Sequence, residues 1–189
     1  MTKLILASAS PRRKQLLEQI GVTDFEVRPA PSEIEADNLP PGEAVQVIAL
    51  AKGQAIAKDA PPGTLILAAD TEVYFNGALL GKPQDPADAE RMLRLLSGAT
   101  HRVYTGVALL KDDKTLVAVE ATDVTFRHLT DLEIQVYVAS GEPMDKAGAY
   151  GIQGKAAHFV RRIEGDVYNV IGLPLCLVTE MAREMGTEL

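Results

Sequence analysis

Residues 4–21 read LILASASPRRKQLLEQIG: a short apolar run, a hydroxyl-bearing turn and a helix-like stretch in direct succession. An apolar run of this length, bounded by small polar residues, predicts a buried strand over Lys3–Ala7. Ser10 suits a helix N-cap and Pro11 the first helical position, where a missing N–H costs nothing, so a helix follows and Gly21 closes it. The same alternation recurs outward. A strand around Phe25–Arg28 leads into a Pro-rich acidic loop, Pro29 to Pro41. Apolar residues at 44, 47, 48, 51 and 55 then place a helix over Glu43–Lys58. Leu65–Ala69 reads as a fully buried strand ending at Asp70, and Asn76-Gly77 between apolar runs is a strong hairpin signal. Asp85-Pro86 opens a helix with apolar positions 89, 92, 93 and 96, closed by Gly98. Two long strands, His101–Leu110 and Leu116–Phe126, flank a charged turn at 111–114. Thr130 and Glu133 form a capping-box pair before a helix that ends near Gly141. A glycine-punctuated stretch, Ala147–Gly154, precedes a strand at His158–Ile163 and a final helix from about Leu173. Strands alternating with helices predict an α/β fold, and without repeats or linkers residues 1–189 read as one domain.

Composition narrows the function classes. The chain has 189 residues, 47% of them apolar, and 26 acidic against 19 basic side chains, for a net charge of −7. An acidic balance argues against a nucleic-acid polymer as partner, since that needs Lys and Arg clustered over a whole face. No apolar run approaches the roughly 20 residues of a membrane span, and LILAS is too short for a secretory signal core. The single cysteine, Cys176, forms no internal disulfide, which fits a reducing compartment and makes the cytoplasm the expected location. The charge is unevenly spread: Lys3, Arg12, Arg13 and Lys14 outweigh Glu18 in residues 1–20.

Several nucleotide motifs are absent. There is no G-x-x-x-x-G-K-[ST], and Gly148, Gly151 and Gly154 are spaced in threes, unlike a dinucleotide fingerprint. No G-x-S-x-G elbow occurs, and His101, His128 and His158 lack zincin spacing. What remains is Ser8-x-Ser10-Pro11-Arg12-Arg13, in which the N–H groups of a helix start attract anions and the guanidinium forks suit phosphate oxygens. A solvated helix start with surface arginines is the alternative. Asp70 at a strand end can hold a divalent cation or orient a water, or cap a turn. Glu72, two residues on, shares its strand face and is either a second oxygen ligand or solvated. Lys52 is the only charge between Glu43 and Lys58; it either snorkels to the surface or points into a site that needs positive charge. Lys82, in Gly81-Lys82-Pro83, and Glu33, in Pro31-Ser32-Glu33, are each placed to meet a phosphate or cation, or to lie exposed. Together they describe carboxylates for a hard cation, cations for phosphates and a helix N-terminus, the combination phosphoryl chemistry needs.

These residues carry a family resemblance. LILASASPRRKQLLEQIG, Ala69-Asp70-Thr71, Gly81-Lys82-Pro83, DKAGAYGIQG at 145–154 and NVIGLPL at 169–175 resemble the Maf family of nucleoside triphosphate pyrophosphatases, nearly end to end. Arg12, Thr71 and Gln153 within these motifs resemble its dTTP/UTP branch. The resemblance implies an ITPase-like α/β fold with an elongated, curved mixed sheet flanked by helices and a cleft between two lobes. It further implies a homodimer, and hydrolysis of a nucleoside triphosphate to the monophosphate and pyrophosphate with Mg²⁺ or Mn²⁺. By position, Asp70 is the proton acceptor that activates water and Glu33 assists through the metal. Ser8, Arg12, Arg13, Lys52 and Lys82 hold phosphates, while Arg12, Thr71 and Gln153 tune base choice; a Gln amide pairs with both a carbonyl and an N–H of a pyrimidine edge. Glu72 departs from the aliphatic residue of relatives, so no two-metal mechanism is carried over. The alternative function is a nucleotide-binding regulator of cell division and septum formation with little turnover; a phosphomonoesterase, releasing orthophosphate, is a further rival.

Overall fold

In the computed structural model, which describes residues 3–30, 36 and 38–189, strand β1 (Leu4–Leu6) pairs in parallel with both β2 (Phe25–Val27) and β3 (Leu65–Phe75). Leu4, Ile5 and Leu6 are all buried, which is why the run is apolar without alternation. Helix α1 (Pro11–Gln19) follows, with Ser10 as its N-cap residue in extended conformation. The expected side-chain cap is not made: Ser10 instead donates its own N–H to Ser8 Oγ. Helix α2 (Pro41–Ala57) precedes β3, and β4 (Ala78–Leu80) returns antiparallel to it across Asn76-Gly77, both with positive φ as an I′ hairpin requires. Then come α3 (Pro86–Leu96), β5 (Thr100–Lys111), β6 (Lys114–Phe126), α4 (Asp131–Ala139), β7 (Val160–Glu164), α5 (Val167–Ile171) and α6 (Leu175–Glu184). The strand order is β2-β1-β3-β5-β6-β7, with β4 beside β3. The expected mixed α/β sheet is therefore present.

The chain divides into two compact units. In the first (Met1–Asp70, Thr105–Glu120 and Gly172–Leu189), Ala49 and Ile56 of α2 lie against Ile5, Ile66, Ala68, Ala108 and Leu110. The contact is close. A methyl group on Gly106 would collide with the Val45 carbonyl, and one on Gly53 would strike Leu110. The buried face of α2 is Ala44, Val45, Ile48, Ala49, Gly53 and Ile56, so it is turned from the expected one and leaves Val47 exposed. A helix rich in alanine and apolar on most sides does not fix its own rotation. The second unit (Thr71–Tyr104 and Ala121–Ile171) is built on Ala89, Met92, Leu93 and Leu96 of α3, the apolar positions the sequence marked. These meet Ile134, Tyr137 and Val138 of α4 together with Val73, Phe126, Tyr150 and Phe159.

Three further expectations need correction. β3 does not end at Asp70 but runs on to Phe75, because Val73 and the hairpin continue its pairing with β4. β7 begins at Val160 rather than His158, since Lys155–Phe159 winds into a 3-10 helix. Helix α5 was not foreseen, and α6 begins at Leu175.

Candidate active site

The first unit gathers four of the expected side chains. Ser8 and Arg13 are both buried. Arg13 donates from Nε to the Gly172 carbonyl at 2.7 Å and from Nη1 to Ser8 Oγ at 3.0 Å. Burial lowers the Arg13 pKa to about 10, with the charge of Asp70 opposing that shift and the like charge of Arg12 adding to it. Arg13 remains a cation at neutral pH. Its neighbour Arg12 is half-buried. Arg13 is thus a fixed interior charge and not the surface arginine of the bland alternative.

Asp70 lies three residues beyond Leu67, the last residue of β3 paired with β1. It therefore stands past the carboxyl end of the parallel pairing even though β3 itself continues, the place where ligands gather in such sheets. Alternation puts Asp70 on the face of Ile66 and Ala68, which α2 covers. Lys52 descends from α2 to meet it: Nζ donates to Asp70 Oδ1 at 2.6 Å, and each side chain is only 17% exposed. Lys52 turns inward and does not snorkel. Glu72 is half-buried and its Oε2 accepts from the Tyr74 hydroxyl at 3.1 Å, while the alternation points Thr71 to the other face. Glu33 lies outside the described residues.

The second unit carries Lys82 and Gln153, both exposed. Their loops are tied together, because the Gly148 N–H donates to the Gly81 carbonyl at 3.1 Å. Gln153 sits in a turn closed by the Gly154 N–H on the Gly151 carbonyl at 3.1 Å.

Residues 3–185 match the Maf-like protein family. The chain belongs to the Maf family. This Maf chain is 50% identical over 191 residues to a protein of Moorella thermoacetica named dTTP/UTP pyrophosphatase, covering 100% of this chain and 97% of that one. It is 52% identical over 180 residues to a protein of the same name from Latilactobacillus sakei, covering 95% and 98%. Among solved structures, a HAM1 protein from Coxiella burnetii superposes with a TM-score of 0.55 at 18% identity, over 97% of this chain and 100% of that one. The two share a fold.

Two contacts around these side chains were not legible from sequence. The Gly172 carbonyl that fixes Arg13 belongs to the NVIGLPL motif, which gave no hint of a partner 159 residues away. Glu142, which bonds the turn bearing Gln153, has no motif signature because its partners are the Lys155 backbone N–H and a tyrosine hydroxyl five residues upstream. Among the described residues, no three His, Cys, Asp or Glu side chains stand as a metal-binding group, and no helix is long and apolar enough to cross a membrane.

Proposed function

We propose that the chain hydrolyses nucleoside triphosphates, dTTP and UTP preferred and modified pyrimidine nucleotides included, to the monophosphate and pyrophosphate. The observation that carries this is the Lys52–Asp70 contact beside the buried Ser8–Arg13 pair, in a chain about half identical to proteins named dTTP/UTP pyrophosphatase. Water attacks the α-phosphorus, the bond from that phosphorus to the α,β-bridging oxygen breaks, and pyrophosphate leaves. Asp70 takes the proton of the attacking water. Lys52 orients that carboxylate and, with Arg12, Arg13 and Lys82, offsets the negative charge that builds on the leaving pyrophosphate. Ser8 contributes a hydroxyl beside the Arg13 guanidinium. Arg12, Thr71 and Gln153 select the base.

The donor set suits a hard divalent cation, Mg²⁺ or Mn²⁺. Such ions keep several waters, take phosphate oxygens, and need only one or two protein carboxylates. Asp70 provides one such carboxylate, and Glu33 is the second. The cation supplies Lewis-acid polarisation of the phosphoryl oxygens when bound. The exposed thiol of Cys176 suits the cytoplasm. Leu132 and Val136, 69% and 64% exposed and one turn apart on α4, offer apolar surface of the kind a homodimer covers; sedimentation measures that state.

Chromatographic separation of products from a panel of triphosphates tests the activity. Pyrophosphate with the monophosphate supports it. Saturable binding without turnover would instead leave the regulator, and orthophosphate release would indicate a phosphomonoesterase.

A further inference from the structure

The second unit contains a set of contacts that the proposed chemistry does not use. The Tyr137 hydroxyl on α4 accepts the Gly151 N–H at 3.2 Å and donates to Glu142 Oε1 at 3.1 Å. Both Glu142 oxygens in turn accept the Lys155 N–H, at 3.0 and 3.1 Å. The two residues flanking the turn, 151 and 155, are thus held by one hydroxyl and one carboxylate that are bonded to each other. The fit is tight. A methyl on Gly154 would collide with the Glu142 carboxylate, and one on Gly151 would press on the Lys146 side chain. Lys146 in turn bonds back to the Glu142 carbonyl at 2.7 Å. Tyr137 is 3% exposed, and its ring meets Phe159 edge-on at 5.3 Å, so the clamp is anchored in the core. Gln153 is exposed midway between the two fastened amides.

We propose that Tyr137 and Glu142 are positioning residues for base selection, holding the 151–155 turn so that the Gln153 amide meets the base edge in one orientation. The proposal rests on the reading of Gln153 as a base-selecting residue. An amide pairs with a pyrimidine edge only if its carbonyl and NH₂ are both aimed, and an exposed side chain on a loose turn spends that aim as entropy. The clamp removes the backbone part of this cost before the nucleotide arrives.

The test compares Tyr137→Phe, Glu142→Ala, Gln153→Ala and the pair Gly154→Ala with and without Glu142→Ala. Two readouts are taken: kcat and KM for dTTP against dGTP, and hydrogen exchange of the 151–155 amides. Tyr137→Phe keeps the ring in the core and removes only the hydroxyl. It and Glu142→Ala are expected to lower the kcat/KM preference for dTTP by roughly three- to tenfold, the size of one or two lost hydrogen bonds. The loss falls mainly on KM, and the Gly151 and Lys155 amides exchange faster. Gly154→Ala has the same effect alone, and much less of one once Glu142→Ala has vacated the space. If Gln153→Ala relaxes selection while Tyr137→Phe and Glu142→Ala leave it at the wild-type ratio, the positioning role is wrong and the Gln153 reading stands. If Gln153→Ala itself leaves the ratio untouched, both fall. Unchanged exchange in the two clamp variants overturns the proposal on structural grounds alone.

Discussion

Asp70 has one oxygen 2.6 Å from the Lys52 ammonium, and chemistry at this pair can be separated from folding. Asp70→Asn keeps the size and removes the base; turnover is expected to fall by roughly 10²–10⁴-fold, the usual contribution of a positioned base. The circular dichroism spectrum should be retained. Near-normal pyrophosphate release from that variant would sink the mechanism. Lys82 is exposed on its loop, and if it meets phosphates common to all substrates, as proposed, Lys82→Ala should slow purine and pyrimidine nucleotides alike in the same assay. At this scale the sequence was informative about residue types and silent about direction. A single lysine in the alanine-rich 44–57 stretch has no polar stripe beside it to say which way it faces. Ser8 and Arg13 were legible as candidates because they flank the turn between a strand and a proline-started helix, and Asp70 because it follows a fully apolar strand run; their burial and partners were not.

Elements whose ends are fixed by local hydrogen bonds matched the structure best. Asp85 accepts the Asp88 N–H at 2.8 Å at the start of α3, and Thr130 with Glu133 forms the full capping box of α4. Asp85→Ala should cost about 1 kcal/mol, the usual loss for a removed N-cap, read as a lower urea midpoint with an unchanged slope. Gly106→Ala is a different case. Its methyl would meet backbone atoms of Val45 and Gln46, which cannot swing aside as a side chain can, so α2 must lift from β5, and a loss of about 1–3 kcal/mol is expected from overpacking. That lift would also carry Lys52 away from Asp70, so turnover should drop with stability. Helix α5 and the 3-10 segments escaped notice because five residues or fewer show no 3.6-residue period.

For the whole molecule, the net charge of −7 says little about the substrate, because the proposed site draws on a few cations and not on the overall balance. Its response to acid is more specific. His101 is 2% exposed and bonds Tyr150 Oη through Nε2 at 2.7 Å. Burial lowers its pKa to about 4, against the pull of Asp123. From pH 6.5 down to about 4 the unfolded chain takes up a proton there that the folded chain refuses. Stability therefore falls as pH falls through that window, by about 3 kcal/mol at 1.36 kcal/mol per unit. Above pH 6.5 the contribution is complete. His101→Gln keeps a polar partner for Tyr150 and has no such proton, so its unfolding free energy in urea should lose that much less between pH 7.5 and 4.

The path of the chain gives the two units different inheritances. The chain passes between them at 70/71, 104/105, 120/121 and 171/172, so neither can be cut out as a continuous piece or exchanged whole with a relative. The clamp around Gln153 behaves otherwise. Tyr137, Glu142, Gly151, Gly154 and Lys155 all fall within residues 137–155 and bond mainly among themselves. One short stretch of gene therefore carries both Gln153, a side chain proposed to meet the base, and the contacts that hold its turn. On the proposed reading, the Gln153 share of base selection can be moved between relatives as one short segment, while the Arg12 and Thr71 share stays with the rest of the chain.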